Sequence, residues 1–249
     1  MTLALVTGGG SGIGRAIVER LARDGAEVVV VDVDEVAAQR EARAVGGRSA
    51  AADVADPAEW DRLVGTLPPL DIACLNAGVV TGERDVDDLS DEAYRRIMGV
   101  NVDGVVFGLR ALLPALERAG GGDVIVTASL AGLTPVAQDP IYAGTKHFLI
   151  GFVRSAAPQL EERGVRINAV CPGIVDTPIL GGEGRARLEA AGFPLLQPED
   201  VADAVALALA SGETGQAWVV QPGRQPEPYR FAGVPGPRAA GGEGVIPPW

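Results

Sequence analysis

The chain has 249 residues, 47% of them hydrophobic and 22% charged, a length and balance that suit one α/β domain with a large core and exclude a disordered body. Twenty-one Lys+Arg against 33 Asp+Glu give −12 at pH 7, a field that repels nucleic acid and anionic membranes, so neither is expected as a partner. The two cysteines, Cys74 and Cys171, each end an apolar run and read as reduced core thiols rather than a disulfide or metal pair, which suits a cytoplasmic protein without a metal. The stretch MTLALVTGGG has no basic region or cleavage site, and no apolar run approaches the roughly 18 residues that span a bilayer.

The first element is LALVT, a strand, followed by the glycine loop TGGGSGIG at 7–14 and the amphipathic helix IGRAIVERLARDG. AEVVVVDV and DEVAAQREARAVGG repeat the rhythm, and further strands are read at 48–52, 70–75, 123–128, 165–170 and 216–220. Strands apolar on both faces and joined by helical crossovers predict a doubly wound, Rossmann-type α/β domain over 1–221. Its mostly parallel seven-stranded sheet carries helices on both faces. Ligands in such a fold sit beyond the carboxyl ends of the strands. Two segments break the rhythm. Residues 176–198, rich in Gly and Pro around a short amphipathic piece, predict a mobile flap beside the site rather than another βα unit. The tail, 222–249, is dense in Pro and Gly without a period, yet Tyr229, Phe231 and Trp249 predict that part of it packs on the domain or on another subunit.

The glycine loop follows a strand and opens a helix, where backbone N–H groups and the positive end of the helix dipole suit a pyrophosphate. Its glycines, Gly8, Gly12 and Gly14, are not spaced as G-x-G-x-x-G, and a Gly-rich turn alone is often only a turn; the context makes Gly8, Gly10, Ser11, Gly12, Ile13 and Gly14 candidate cofactor residues. Asp32 ends the second strand. Its carboxylate either accepts hydrogen bonds from both adenosine ribose hydroxyls, repelling a 2′-phosphate, or caps the helix beginning DEVAAQ. Val33 follows it and Ser11 lies in the glycine loop, so no basic residue is read beside Asp32, and NAD is favoured over NADP. Asp53 and Val54 after the third strand, and Asn76, Ala77 and Gly78 after the fourth, suit an adenine and ribose lying across the sheet.

Lys146 is the only lysine in a chain with twenty arginines. On a helix it lies one turn after Tyr142, on the same face. A phenol titrates near 10, too high for a proton acceptor at neutral pH; a nearby ammonium, with the positive nicotinamide ring, favours the phenolate. A slim stem carrying a compact charge serves this better than a guanidinium fork. The alternative is a solvated helix lysine. Ser129, ending VIVTAS, is either a substrate-facing hydroxyl or a turn cap, and Asn101 either a site residue or a polar break in a helix. His147, the only histidine, lies about 100° round the helix from Lys146 and points away.

TGGGSGIG, Asp32, NAG at 76–78, Asn101 in VNVDG, Ser129 in ASLAG, YAGTK at 142–146 and PGIVDTP at 172–178 together resemble the short-chain dehydrogenase/reductase family, with twelve residues between Ser129 and Tyr142 as that family has them. The resemblance extends to about residue 222; one departure is Leu75, where the family often has an Asn. It implies that Tyr142 is the acid/base, that Lys146 lowers its pKa and binds the nicotinamide ribose, and that Ser129 holds the substrate oxygen. Asn101 would seat a water behind Lys146. Pro172, Gly173 and Val175 would border the nicotinamide, with Thr177 on its carboxamide. SLAGLTPVAQDPIYAGTKHFLIGFVRSAA resembles, within the family, hydroxyprostaglandin dehydrogenases and related NAD-dependent secondary-alcohol dehydrogenases, which implies Gln138 near the substrate hydroxyl and a greasy pocket of Leu130, Val136, Ile174, Ile179 and Leu180, with Phe193 in the flap. Arg185 and Arg187 keep open a clamp on a carboxylate. The implied activity is NAD-dependent oxidation of a secondary alcohol with hydrophobic substituents to a ketone. The alternatives are an NADPH-dependent keto/oxoacyl reductase and a non-catalytic NAD-sensing or scaffold protein. A homodimer or homotetramer, built through helices at 101–118 and 141–162, is also implied.

Overall fold

In the computed structural model, which describes residues 2–233, the chain runs β1 (Leu3–Thr7), α1 (Gly12–Arg23), β2 (Glu27–Asp32), α2 (Glu35–Val45), β3 (Arg48–Ala51), α3 (Pro57–Val64) and β4 (Ile72–Leu75). It continues through α4 (Asp91–Met98), α5 (Gly104–Arg118), β5 (Gly122–Thr127), α6 (Pro140–Glu161), β6 (Val165–Pro172), α7 (Gly181–Ala190), α8 (Pro198–Ala210), β7 (Ala217–Val220) and β8 (Glu227–Pro228). The sheet order is β3-β2-β1-β4-β5-β6-β7-β8, parallel through β7.

Alternation along the strands decides which helices each face receives. Leu3, Leu5, Val29, Val31, Ala73, Leu75, Val124 and Val126 point into one layer, which Trp60 of α3, Leu112 and Leu116 of α5 and Val153 and Leu160 of α6 fill. Ala4, Val6, Val28, Val30, Cys74 and Ile125 point into the other, against Ile17 and Leu21 of α1, Ala38 of α2 and Val205 of α8. Both faces are covered, as central parallel strands require, since each face left bare would put a row of Val and Ile in water.

The sheet has eight strands where seven were expected. The extra one is the two-residue β8, antiparallel to β7 with Trp218 opposite Pro228 and Val219 opposite Glu227. It consists of Glu227 and Pro228 alone, so it carries no apolar period; Pro is tolerated because this is the sheet edge. Beyond it Phe231 packs on the core, meets the Tyr229 ring edge-on at 4.9 Å and lies under the Arg154 guanidinium at 3.6 Å. Trp249 lies outside the described residues.

The helix expected over 101–118 begins ten residues earlier, as α4 runs into α5 through one π turn, Gly99–Asp103. The continuous helix Asp91–Arg118 contains a window long and apolar enough to cross a membrane by length and composition, although charges interrupt it and no unbroken apolar run reaches that length. Here Val105, Leu109, Leu112 and Leu116 pack against the sheet layer, so its hydropathy serves the core.

Candidate active site

The crevice opens where the strand order reverses, between β1 and β4, with the glycine loop on one side and Asn76-Ala77-Gly78 on the other. Gly12 has φ +51°, a conformation that side chains resist, and a Cβ there would press on Thr177 at 3.2 Å. Ser11 stands at the N-cap of α1, but its hydroxyl caps nothing. The first N–H groups of a twelve-residue helix are therefore free of a side-chain cap and face the crevice, an arrangement that fits a pyrophosphate.

Asp32 does not cap α2; that role falls to Asp34, whose Oδ1 accepts from the N–H groups of Val36 (3.0 Å) and Ala37 (3.1 Å). Asp32 instead accepts from Gly10 N at 2.9 Å and Asp34 N at 3.0 Å, which holds its carboxylate against the glycine loop and in the crevice wall. The expectation that no base lies near needs correction. Arg40, two turns into α2, donates through Nη2 to the Gly10 carbonyl at 2.9 Å while its Nε pairs with Glu41 at 2.7 Å. Sequence distance hid it, since eight positions separate Arg40 from Asp32; the helical return onto the loop brings them to the same glycine.

At the strand ends, Thr7 and Thr127 were not singled out in the sequence, yet they organise the site. The Thr7 hydroxyl accepts from the N–H groups of Asn76 (2.9 Å) and Ala77 (3.1 Å), and Asn76 Nδ2 donates to the Thr7 carbonyl at 3.0 Å. Thr127 donates to Asn76 Oδ1 at 3.0 Å. The Asn76 amide thus ties β1, β4 and β5 together while the residue lines the crevice. Asn101 sits fully buried in the π turn, a local widening of the helix that often marks functional sites. Its Oδ1 accepts from Val79 N at 2.8 Å, and its Nδ2 donates to Val79 O at 2.9 Å and Thr145 Oγ1 at 3.1 Å.

Tyr142 and Lys146 project from the first turns of α6, and Ser129 from the end of β5, into one wall of the crevice. The Lys146 ammonium lies 5.6 Å from the Tyr142 ring centre and donates to the Thr127 carbonyl at 2.8 Å. Only 3% of Lys146 is exposed, which rules out a solvated helix lysine, and burial lowers its pKa to about 8. His147, by contrast, is exposed and bonded through Nδ1 to the Ala143 carbonyl at 2.9 Å. Tyr142 departs from the expectation of a lowered pKa: desolvation raises it above 10, the neighbouring Ser129 hydroxyl works the other way, and the Asp139 carboxylate adds to the rise. In the protein without its cofactor, burial outweighs the Ser129 hydrogen bond. Cys171 nearby is pushed up to about 12 and stays a thiol beside Lys146.

One continuous cavity of about 930 Å³ joins these parts. Of the residues proposed from the sequence for catalysis, cofactor or substrate, all but Gly10 and Asn101 line it, and those two act on liners through the bonds given above. Leu130, Val136, Gln138, Ile174, Ile179, Leu180 and Phe193 line it together with the unforeseen Val79, Val80, Thr134 and Gln221. Arg185 and Arg187 do not line it: Arg185 pairs with Asp176 (2.7 Å) and Glu189 (3.0 Å), and Arg187 with Glu183 (3.5 Å). The carboxylate clamp is therefore not theirs. In the segment 176–198, α7 buries no residue, while a bridge between Val175 and Leu196 ties the two ends together.

A doubly wound sheet with a glycine loop opening onto an uncapped helix, an acidic residue at the second strand and a half-buried Tyr beside a buried Lys, facing a hydroxyl, defines a nucleotide-dependent oxidoreductase acting on CH–OH groups. Comparison with known proteins agrees. The family profile described as short chain dehydrogenase matches residues 2–187. Cyclohexanol dehydrogenase of Acinetobacter sp. (strain SE19) is 38% identical over 233 residues, covering 88% of this chain and 92% of that protein. A 2,5-dichloro-2,5-cyclohexadiene-1,4-diol dehydrogenase of Sphingobium indicum is 38% identical over 183 residues, 71% of this chain and 73% of the relative. The crystal structure of 3-ketoacyl-(acyl-carrier-protein) reductase from Brucella melitensis complexed with NADH superposes with a TM-score of 0.82 at 31% identity, covering 90% of this chain and 98% of that one. The chain belongs to the short-chain dehydrogenase family.

Proposed function

We propose that this protein is an NAD-dependent dehydrogenase that oxidises a secondary alcohol borne on a carbon ring to the ketone, reversibly, with Tyr142 as the acid/base. The observation that carries this is the convergence of Ser129, Tyr142 and Lys146 on one wall of an apolar-ended cavity whose other end holds Asp32. The ring is suggested by the relatives, two of which are named for a cyclohexanol and a cyclohexadiene-diol.

Gly8 to Gly14 and the first turn of α1 would hold the pyrophosphate, Asp32 the adenosine ribose, and Thr177 with Pro172 and Gly173 the nicotinamide end. Bound there, the nicotinamide supplies the hydride acceptor. Ser129 would orient the substrate oxygen and Tyr142 take its proton, with the ammonium of Lys146 favouring the phenolate. The apolar residues at the outer end exclude water and select by shape, each methylene contributing about 1–3 kcal/mol. Stacked Phe148 and Phe152 (ring centres 5.8 Å apart), with Phe148 exposed on α6, support a homo-oligomer through that helix. The two buried thiols support a reducing, cytoplasmic setting. A non-catalytic sensor has no need of the Ser129, Tyr142 and Lys146 wall.

The test is the initial rate of NAD and NADP reduction, followed by absorbance, over cyclic, short aliphatic and steroidal secondary alcohols. NAD should exceed NADP by at least about tenfold, because a 2′-phosphate beside Asp32 meets a carboxylate, and Arg40, which reaches the same glycine as Asp32, is already shared between Glu41 and Gly10. Equal or faster NADP reduction would overturn the cofactor assignment, and tight NAD binding without turnover of any alcohol would overturn the activity.

The raised Tyr142 pKa sets the sign of the pH dependence. The groups around the phenol are Lys146, Asp139, Ser129 and the protonated Cys171 thiol near Lys146. Below its pKa the reactive phenolate is scarce and grows with pH, so log kcat/KM for alcohol oxidation should climb from about pH 6 to about pH 8. It should flatten as Lys146, lowered to about 8, loses its proton and its favourable field. A profile flat across that range would contradict a phenol held high by burial.

A further inference from the structure

We propose that Asp139 is a positioning residue, whose single carboxylate clamps the substrate-pocket wall at 79–82 to the first turn of the helix that carries Tyr142. Asp139 is a buried acid, 8% exposed, with no cation paired to it among the described residues. Burying a lone carboxylate is costly unless N–H donors surround it. Here three do. Oδ1 accepts from Tyr142 N at 2.9 Å, capping α6, and Oδ2 accepts from Thr81 N at 2.9 Å and Gly82 N at 3.0 Å.

The two oxygens therefore serve different elements. Capping alone is within reach of Ser, Thr or Asn. Meeting an N–H on the helix and two more on a separate loop needs a side chain that accepts at both ends, which only a carboxylate does. Asn would turn an NH2 toward one set of donors, and Ser has one oxygen for both.

The loop so held matters to the pocket. Val79 and Val80 line the same cavity as Gln138 and Tyr142. Asn101 fixes the loop at Val79 by two bonds, and Asp139 fixes it again at Thr81 and Gly82. From Glu83 to Asp88 every residue is exposed, so Asp139 is the last anchor before the chain leaves for solvent. A pocket wall and a catalytic phenol that share one carboxylate keep their spacing when either shifts, and orientation of reactants is worth large rate factors. The same charge faces Tyr142 and holds its proton more tightly.

The kinetic half of the test rests on the dehydrogenase reading; the structural half does not. Asp139→Ser keeps an N-cap for α6 and removes the clamp. In the full chain it should raise the KM for the alcohol by about fivefold or more, with the KM for NAD within about twofold, and Asp139→Asn should behave the same way. By hydrogen exchange the Thr81 and Gly82 amides should exchange about tenfold faster in Asp139→Ser while the first turn of α6 stays protected. Thr81→Pro, which deletes one loop donor without touching α6, should reproduce the KM shift and keeps the question open to decision if Asp139 variants fold poorly. Native kinetics with unchanged Thr81 and Gly82 exchange in Asp139→Ser would overturn the clamp, as would restoration of the native KM by Ser and Asn alike. If the native protein oxidises no alcohol the dehydrogenase reading fails, and the exchange rates still decide the clamp.

Discussion

Tyr142→Phe should lower alcohol turnover by about 10³-fold or more while NAD affinity stays within about twofold. The phenol is the one titratable group that lines the cavity beside Ser129 and stands one helical turn from Lys146. Phe keeps the ring and its packing and removes only the oxygen that moves the proton. Asp32 and Asp53, the other acids lining the cavity, belong to its opposite end, and His147 is exposed on another face, so among the described residues no second acid or imidazole lining the cavity stands at Ser129 to substitute. Fluorescence titration with NAD and steady-state rates on a ring alcohol separate the two effects. Residual activity above about one part in a hundred would assign the proton transfer elsewhere. Weakened NAD binding of equal size would make Tyr142 a cofactor ligand first and an acid/base second.

The parts of this site that depend on short-range spacing were legible in the sequence. Tyr142 and Lys146 share a helical face at i, i+4, and the glycine loop sits between a strand and a helix; such relations survive any tertiary arrangement. The parts set by long-range return were not. Arg40 reaches Gly10 across thirty positions, and the Thr7, Asn76 and Thr127 network joins three strands that only sheet order makes neighbours. The rise of the Tyr142 pKa in the protein without its cofactor was not legible for a related reason, because pair spacing reveals a neighbouring charge but not the burial that opposes it. In the fold, β1, β2, β5, β6 and β7 announced themselves by runs rich in Val, and β3 and β4 by the rhythm around them. β8 could not, because it is two residues long and one of them is Pro228. The π turn at 99–103 likewise hid inside a pattern that a regular helix would also give.

The lone lysine leads to the other large effect. Lys146→Arg should cost about 10²-fold or more in turnover and also weaken NAD binding, although the charge is nominally kept. The ammonium is enclosed: it donates to the Thr127 carbonyl at 2.8 Å and lies 3.5 Å from where a Cβ on Gly78 would stand, with Asn101 Oδ1 equally close to the same point. A guanidinium is wider, planar and unable to aim three donors from one atom, so in this space it must either displace the Gly78 backbone or withdraw from Thr127. It also stays charged at all accessible pH, whereas burial already lowers the ammonium to about 8 and brings it within range of proton exchange. A chain that uses arginine at all twenty of its other Lys/Arg positions has thus kept lysine where the ammonium is buried between the Thr127 carbonyl and Gly78. Near-native turnover in Lys146→Arg would mean that only the sign of the charge matters. Loss of turnover with unchanged NAD affinity would confine the role of Lys146 to the phenol.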